Sequence, residues 1–461
     1  MIVDLKPYAD YKDSGSRWLL EVPSHWEIRN LRTLIRPLKH RNRPNLPLLS
    51  VAREKGVFVR SLTDADENHN VIPEDLANYK FARAGSLVIN KMKAWQGSMG
   101  IAPCDGIVSP AYFVYDFAIA NAAFGEKLLR SKPYVAHFGQ ASDGVRVGQW
   151  DLTISGMRQI PVLVPPPAEQ AAIVQFLNWA NRRLERTVNA KRKVIILLTE
   201  QKQAIVHRAV TRGLQPTVSL KASGVSWLGE IPQHWDVRRI KYLLREIDVR
   251  STTGAEPLLS MRKHHGLVPF SEHFTRPAQA ATLVGFKIVR PGQFVVNRMQ
   301  AGNGVIFASA LTGLVSPDYA VFDPIGDANV DFLGELFRSR SVRVKFRAES
   351  KGLGTGTSGF MRLYNDRLGA IHVALPPRDE QSTILSGLAS ELSGVIAAIG
   401  RLDREIELLR EYRTRLVADV VTGKLDVRKL AAKLPKEDLP EAVNDLSDEI
   451  GAEMTDEEAE A

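Results

Sequence analysis

The chain has 461 residues, 44% hydrophobic and 25% charged, with a formal net charge of +9; this ordinary globular mix excludes a fibrous or wholly disordered protein, and the length is too great for one core. No run approaches 18 consecutive apolar residues, and Met1 to Ala9 is charged and contains a proline, so neither a membrane span nor secretion is expected. Cys104 is the single cysteine, which excludes an intrachain disulfide and a cysteine-built zinc site and suits a reducing cytoplasm.

Charge is unevenly spread. Glu437 to Ala461 holds 11 acidic residues and no Lys or Arg, leaving 61 basic against 41 acidic residues, or +20, on the rest. A basic body favours a polyanionic partner, and the acidic end reads as a solvated, mobile tail.

In chain order the first signal is Ser14-Gly15-x-x-Trp18-Leu19-x-Glu21-Val22-Pro23-x-His25-Trp26, which returns as Ser223-Gly224-x-x-Trp227-Leu228-x-Glu230-Ile231-Pro232-x-His234-Trp235 at a constant offset of 209. Pro47-Leu48-Leu49-Ser50 returns as Pro257-Leu258-Leu259-Ser260, Asn90-Lys91-Met92 as Asn297-Arg298-Met299, and Val108-Ser109-Pro110-x-Tyr112 as Val315-Ser316-Pro317-x-Tyr319. Pro165-Pro166-x-x-Glu169-Gln170 returns as Pro376-Pro377-x-x-Glu380-Gln381. The order is preserved throughout, so the chain is an internal duplication.

Within each copy, short β-branched and aromatic runs such as Ser86–Asn90 and Gln293–Asn297, broken by Gly and Pro, predict a mixed, strand-rich domain. After each Pro-Pro the period changes to three and four: Ile173, Leu177, Ala180, Leu184, Val188, Ile195, Leu198, Ile205 and Ala209 in the first copy. The second runs Ile384, Leu388, Leu392, Val395, Ile399, Leu402, Ile406, Leu409, Leu416 and Val420. Each is a long amphipathic helix with proline only at its start, a Glu close behind to favour the positive end of the dipole, and Gly213 or Gly423 as its stop.

The expected division is a first domain over residues 1–166, a long helix over 167–213, a second domain over 214–376, a second long helix over 377–425 and an acidic tail over 426–461. A helix of about 40 residues spans roughly 60 Å and must cover its apolar stripe, and the matching stripe belongs to the other helix. Antiparallel pairing would place the domains at opposite ends about a pseudo-twofold axis. The expected class is α+β, two pseudo-repeated mixed α/β domains separated by two long antiparallel coiled-coil helices.

No arrangement for catalysis is found. There is no G-x-G-x-x-G fingerprint and no phosphate loop, since Gly423-Lys424 is followed by Leu425. The Pro-Pro pairs lack the polar and aromatic neighbours of an amino-methyltransferase motif, and Glu200-x-Lys202 reads as a solvated helix face. His25 and His234 lack partners at ligand spacing, so packing is expected of them, as of Trp18, Trp26, Trp227 and Trp235, and no metal site is expected. Gly352–Gly359 reads as a surface loop able to touch phosphate.

The opening Leu5-Lys6-Pro7-Tyr8 and Lys12-Asp13-Ser14-Gly15, the twin Trp-Leu-x-Glu-[Val/Ile]-Pro-x-His-Trp segments and the twin Pro-Pro-x-x-Glu-Gln starts together resemble the specificity subunit of type I restriction-modification enzymes, over roughly residues 5–430. Trp18 to Glu169 is 151 positions and Trp227 to Glu380 is 153, so the separations match as well.

The resemblance implies two DNA target recognition domains, each reading half of a bipartite sequence. It implies helices that dock two modification (methyltransferase) subunits, with two restriction (endonuclease/translocase) subunits joining the complex. This chain would hold no cofactor, with S-adenosylmethionine, ATP and Mg on partner subunits only, and would carry no catalysis itself. Candidate DNA-binding residues are Arg53, Arg60, Lys91, Lys93, Trp95 and Gln96 in the first domain and Arg262, Lys263, His264, Arg298, Gln300 and Asn303 in the second. Arg and Gln can pair with guanine and adenine edges, while Lys91 and Arg298, in the same slot, suit phosphate. A reading from another class is a coiled-coil adaptor that binds two related proteins and no DNA; the basic surplus speaks against it.

Overall fold

A computed structural model describes residues 5–61, 76–144, 150–263, 265–274, 280, 282–353 and 360–435. The described residues form two compact units, the first built from residues 5–191 with 403–435 and the second from residues 192–402. Each unit thus combines one mixed domain with the start of one long helix and the end of the other.

The duplication extends to every sheet among the described residues. The first unit has a four-stranded antiparallel sheet in the order Ile35–Pro37, Tyr112–Phe117, Leu87–Asn90, Met99–Ile101, and the second has Leu244–Ile247, Ala320–Pro324, Phe294–Val296, Ile306–Ala308 in the same order. Glu27–Asn30 pairs with Pro161–Val164 as Asp236–Arg239 pairs with His372–Leu375, so the strand after each His-Trp lies beside the strand that enters each Pro-Pro. The hairpins Leu49–Ala52/Gly56–Val59 and Leu259–Arg262/Gly266–Pro269 correspond, as do Lys80–Ala82/Gly106–Val108 and Lys287–Val289/Gly313–Val315.

The long helices run Pro167–Arg212 and Arg378–Val421. Gly213 and Gly423 follow them with φ of 74° and 78°, left-handed values open to glycine at a helix stop. In the first unit Ile173, Phe176, Leu177 and Ala180 share a core with Leu416, Val420, Trp26, Phe124 and Tyr134. In the second, Val206, Ala209 and Val210 share one with Ile384, Leu388, Leu392, Trp235 and Phe332.

Both units pack their helix segments antiparallel: Lys191 and Glu185 meet Glu405 and Arg413 at 2.5 and 3.1 Å in the first, and Arg208 meets Glu391 at 2.8 Å in the second. The stripe residues read from the sequence are buried or half-buried, while Val194, Ile196, Leu197 and Leu408 between them are exposed. Arg378–Val421 is long and apolar enough to cross a membrane by length and composition, with mean hydropathy 1.5 over its best window; Ile384, Leu388 and Leu392 nevertheless sit in the second unit's core.

The tail expected from 426 does not begin there. Val427 and Ala431 are buried in the first core, the Asp426 N–H donates to the Lys6 carbonyl at 2.8 Å, and the Arg428 guanidinium lies 5.0 Å from the Tyr8 ring. Apolar Val427, Leu430, Ala431 and Leu434 keep this stretch packed, and the acidic residues lie beyond it. The acidic segment 436–461 and residues 354–359 of the glycine loop lie outside the described residues.

Candidate nucleic-acid interface

Each domain is locked to its helix by the same joint. In the first, buried Glu169 accepts hydrogen bonds from Trp26 Nε1 at 2.9 Å and Tyr8 Oη at 2.5 Å, and His25 Nε2 lies 2.8 Å from its other oxygen. In the second, Glu380 accepts from Trp235 Nε1 at 3.1 Å and lies 2.6 Å from His234 Nε2. The following glutamine completes the lock: Gln170 accepts from the Asn121 N–H at 2.9 Å and donates to the Pro165 carbonyl at 2.8 Å. Gln381 does the same with Asn329 and Pro376, both at 2.8 Å.

The Asn side chains in turn cap Ala122–Leu129 and Val330–Arg338. The twin His, Trp, Glu and Gln residues are therefore one mechanical element, and both Trp side chains are fully buried as expected. Burial and Glu169 push the Tyr8 phenol far above the usual tyrosine range.

A cationic cluster lies at the start of a two-stranded sheet in each domain, where Lys80 and Lys287 open their strands. Isolated bridges pair Arg41 with Lys80 and Arg250 with Lys287, which places these residues in matching slots. In the first domain Lys80 Nζ donates to the Tyr112 carbonyl at 2.5 Å, and burial, with Arg41 and Lys91 nearby, holds its ammonium below the usual lysine value. In the second domain Lys287 is 3% exposed, and burial lowers it against the opposing pull of Asp248, 3.8 Å away. Asp248 also takes two hydrogen bonds from Arg250, at 3.0 and 3.2 Å, which hold its carboxyl below the ordinary range.

The residues singled out from the sequence are distributed unevenly. Arg60 follows the strand Gly56–Val59 and lies near the phenol of Tyr112, whose strand neighbour is Asn90, so Arg60, Lys91 and Lys80 gather on one part of the first domain. Arg53 stands at the opposite, exposed tip of that hairpin, which Arg130 grips through the carbonyls of Arg53 and Glu54, both at 2.8 Å. Lys91 pairs with Asp151 at 2.9 Å. Lys93 is exposed and Gln96 half-buried in the turn around Ala94–Gln96. Trp95 packs edge-on to Trp150 at 5.1 Å, which leaves less of its face open to a base than a free ring would offer.

In the second domain Arg262 lies 5.3 Å from the Phe274 ring, and Lys263 is half-buried beside it. His264 lies outside the described residues. Arg298 is drawn into a network, donating to Glu246 at 2.8 Å and to Asn365 at 3.2 Å, while Asn365 also donates to Glu246. Gln300 precedes the turn Ala301–Asn303 and Asn303 ends it, accepting from Arg347 at 2.8 Å.

Sequence reading missed Arg41, Lys80, Arg250 and Lys287, because the residues around the two lysines, Tyr79 and Phe81 against Phe286 and Ile288, do not repeat. Among the described residues no group of three or more His, Cys, Asp or Glu could hold a metal ion.

A solved chain of the type I R-M system, studied for complex assembly and conformational transition, matches this one with TM-score 0.61 at 15% identity, over 88% of this chain and 99% of that one. The HsdS subunit from Thermoanaerobacter tengcongensis matches at 0.44 and 15% identity over 88% and 98%, and the type I restriction-modification S subunit from M. genitalium at 0.31 and 11% over 90% and 99%. No family model and no curated protein matches the sequence. The first match shows that the two chains share a fold.

Proposed function

We propose that this chain is the DNA specificity subunit of a type I restriction-modification complex. Each mixed domain reads one half of a bipartite duplex target, and the chain carries two modification subunits and two restriction subunits in the cytoplasm. It holds no cofactor and does no chemistry. Adenine N6 methylation with S-adenosylmethionine, and cleavage with ATP and Mg, belong to the partners.

The observation that carries the reading is the duplication: two copies of one domain, each joined by the same Glu–Trp–His lock to a long helix whose fellow packs against it antiparallel. Two related readers on one chain suit a target with two half-sites. The fold shared with a type I R-M chain and the +20 body outside the acidic end support it.

Co-expression with the candidate methyltransferase subunit, followed by single-molecule sequencing for N6-methyladenine, tests it. One bipartite methylated motif should appear only when this chain is present. Unchanged methylation with the partner expressed and bound would reject the reading.

A further inference from the structure

Counting back two residues from each bridge partner puts Lys39 before Arg41 where Asp248 stands before Arg250. The sheet register agrees, since Pro37 pairs with Tyr115 and Glu246 with Phe322, equivalent positions of the central strand. In the second domain the ammonium of Lys287 and the guanidinium of Arg250 thus share an anion that belongs to the chain, Asp248. In the first domain that anion is replaced by a cation.

Among the described residues no carboxylate pairs with Lys39, Arg41 or Lys80, and Lys80 spends one of its three donors on the Tyr112 carbonyl. Burying an ammonium among like charges is costly unless an anion joins it. Lys39 and Arg41 are exposed, so the slot opens to solvent.

We infer that Lys39, Arg41 and Lys80 form an open anion site in the first domain, filled by a phosphodiester oxygen of duplex DNA at the place where the second domain supplies its own Asp248 carboxylate. The inference rests on the DNA reading given above and adds to it an asymmetry. The first domain grips the backbone here, and the second domain, where Asp248 already pairs with both cations, does not. Phosphate contacts position a protein without specifying sequence, so the site sets register for the first half-site.

The test uses the full chain and a 40-bp duplex, with binding followed by fluorescence anisotropy from about 50 to 300 mM salt. R41Q and K39D, both at exposed positions, are expected to weaken binding about 5- to 10-fold at low salt and to lower the salt slope by about 1. D248N, which removes the internal anion, is expected to strengthen binding several-fold, an outcome a purely structural role for Asp248 would not give.

R41Q and K39D within twofold of wild type, or D248N weakening binding, would overturn the site while leaving the DNA reading intact. Inorganic phosphate binding, followed by calorimetry, that is lost in R41Q while duplex affinity stays unchanged would assign the slot to free anions and overturn the DNA assignment. A wild-type chain that binds no duplex at any salt would reject the DNA reading itself and this inference with it.

Discussion

Replacing Glu169 by alanine should cost the first unit much more than replacing Glu380 costs the second. The Glu169 carboxylate is 4% exposed and serves Trp26, Tyr8 and His25, whereas that of Glu380 is 28% exposed and serves Trp235 and His234. Without Glu169, the indole N–H of fully buried Trp26 and the hydroxyl of nearly buried Tyr8 have no acceptor. Each orphaned donor costs about 1–3 kcal/mol, while half-exposed His25 turns to water, so the total is about 2–6 kcal/mol.

At Glu380 one buried donor is orphaned, for about 1–3 kcal/mol. A chain of two units need not unfold in one step, so the assay is amide hydrogen exchange by mass spectrometry, reading the strands Glu27–Asn30 and Asp236–Arg239 separately. A difference of about 2 kcal/mol corresponds to about 30-fold in exchange rate. Equal losses in the two variants, or losses spread over both units alike, would refute the claim that the carboxylate is the joint and that Tyr8 makes the first one tighter.

Leu20 holds φ at 54° in the slot where the second copy has Gly229 at 64°, so Leu20→Gly should stabilise the first unit by about 0.5–1 kcal/mol in thermal unfolding, and a lowered Tm would count against it. Gly423→Ala combines left-handed backbone with a clash against the Pro23 ring and should cost more than about 2 kcal/mol; Gly394→Ala, in a helix with nothing within 4 Å, should gain about 0.5–1, and denaturant midpoints moving the same way for both would contradict this. Arg130→Ala should lower exchange protection of Leu49–Val59 by about 1–2 kcal/mol, because two carbonyl bonds hold that hairpin tip; unchanged protection would mean that the hairpin stands unaided.

Burial pushes the phenols of Tyr8, Tyr112, Tyr115 and Tyr134 upward, so the folded first unit favours their protonated form. That contribution is complete below the unfolded tyrosine value of about 10 and is lost as pH rises beyond it. Protection of the first core should therefore fall between pH 9 and 11, and a core equally protected at both would show that these phenols do not set alkaline stability.

The outline of the fold was legible because periodicity and punctuation are local. Ser86–Asn90 and Gln293–Asn297 read as strands and fold as Leu87–Asn90 and Phe294–Val296, and Gly213 and Gly423 stop the helices where their left-handed freedom is needed. Glu169 and Glu380 were legible only in part. Their place in the first turn suggested a dipole role, yet their main work is done on residues about 144 positions away, a distance no local pattern encodes. Recurrence was the one available signal, since His-Trp and Glu-Gln repeat at nearly the same separation. The candidate DNA-reading residues were chosen by type, and type does not reveal that Arg298 is tied to Glu246 and Asn365 or that Trp95 leans on Trp150.

The two copies agree and differ along a physical line. Where a residue must fill a core or complete a joint, the copies match: Trp26 and Trp235, Gln170 and Gln381, Asn121 and Asn329 make the same contacts to within about a tenth of an ångström or two. Where a residue faces solvent at the sheet edge, the copies diverge in charge, Lys39 against Asp248 and Pro37 against Glu246, on backbones in the same register. Packing tolerates few changes, while an exposed charge can be reversed with little effect on stability and a large effect on what the surface attracts. A duplicated reader that must treat its two halves of a target differently would vary at such positions, and swapping Lys39 and Asp248 in one double variant is the direct probe. Preserved exchange protection in the first unit, with backbone affinity moved from the first domain to the second, is the expected result.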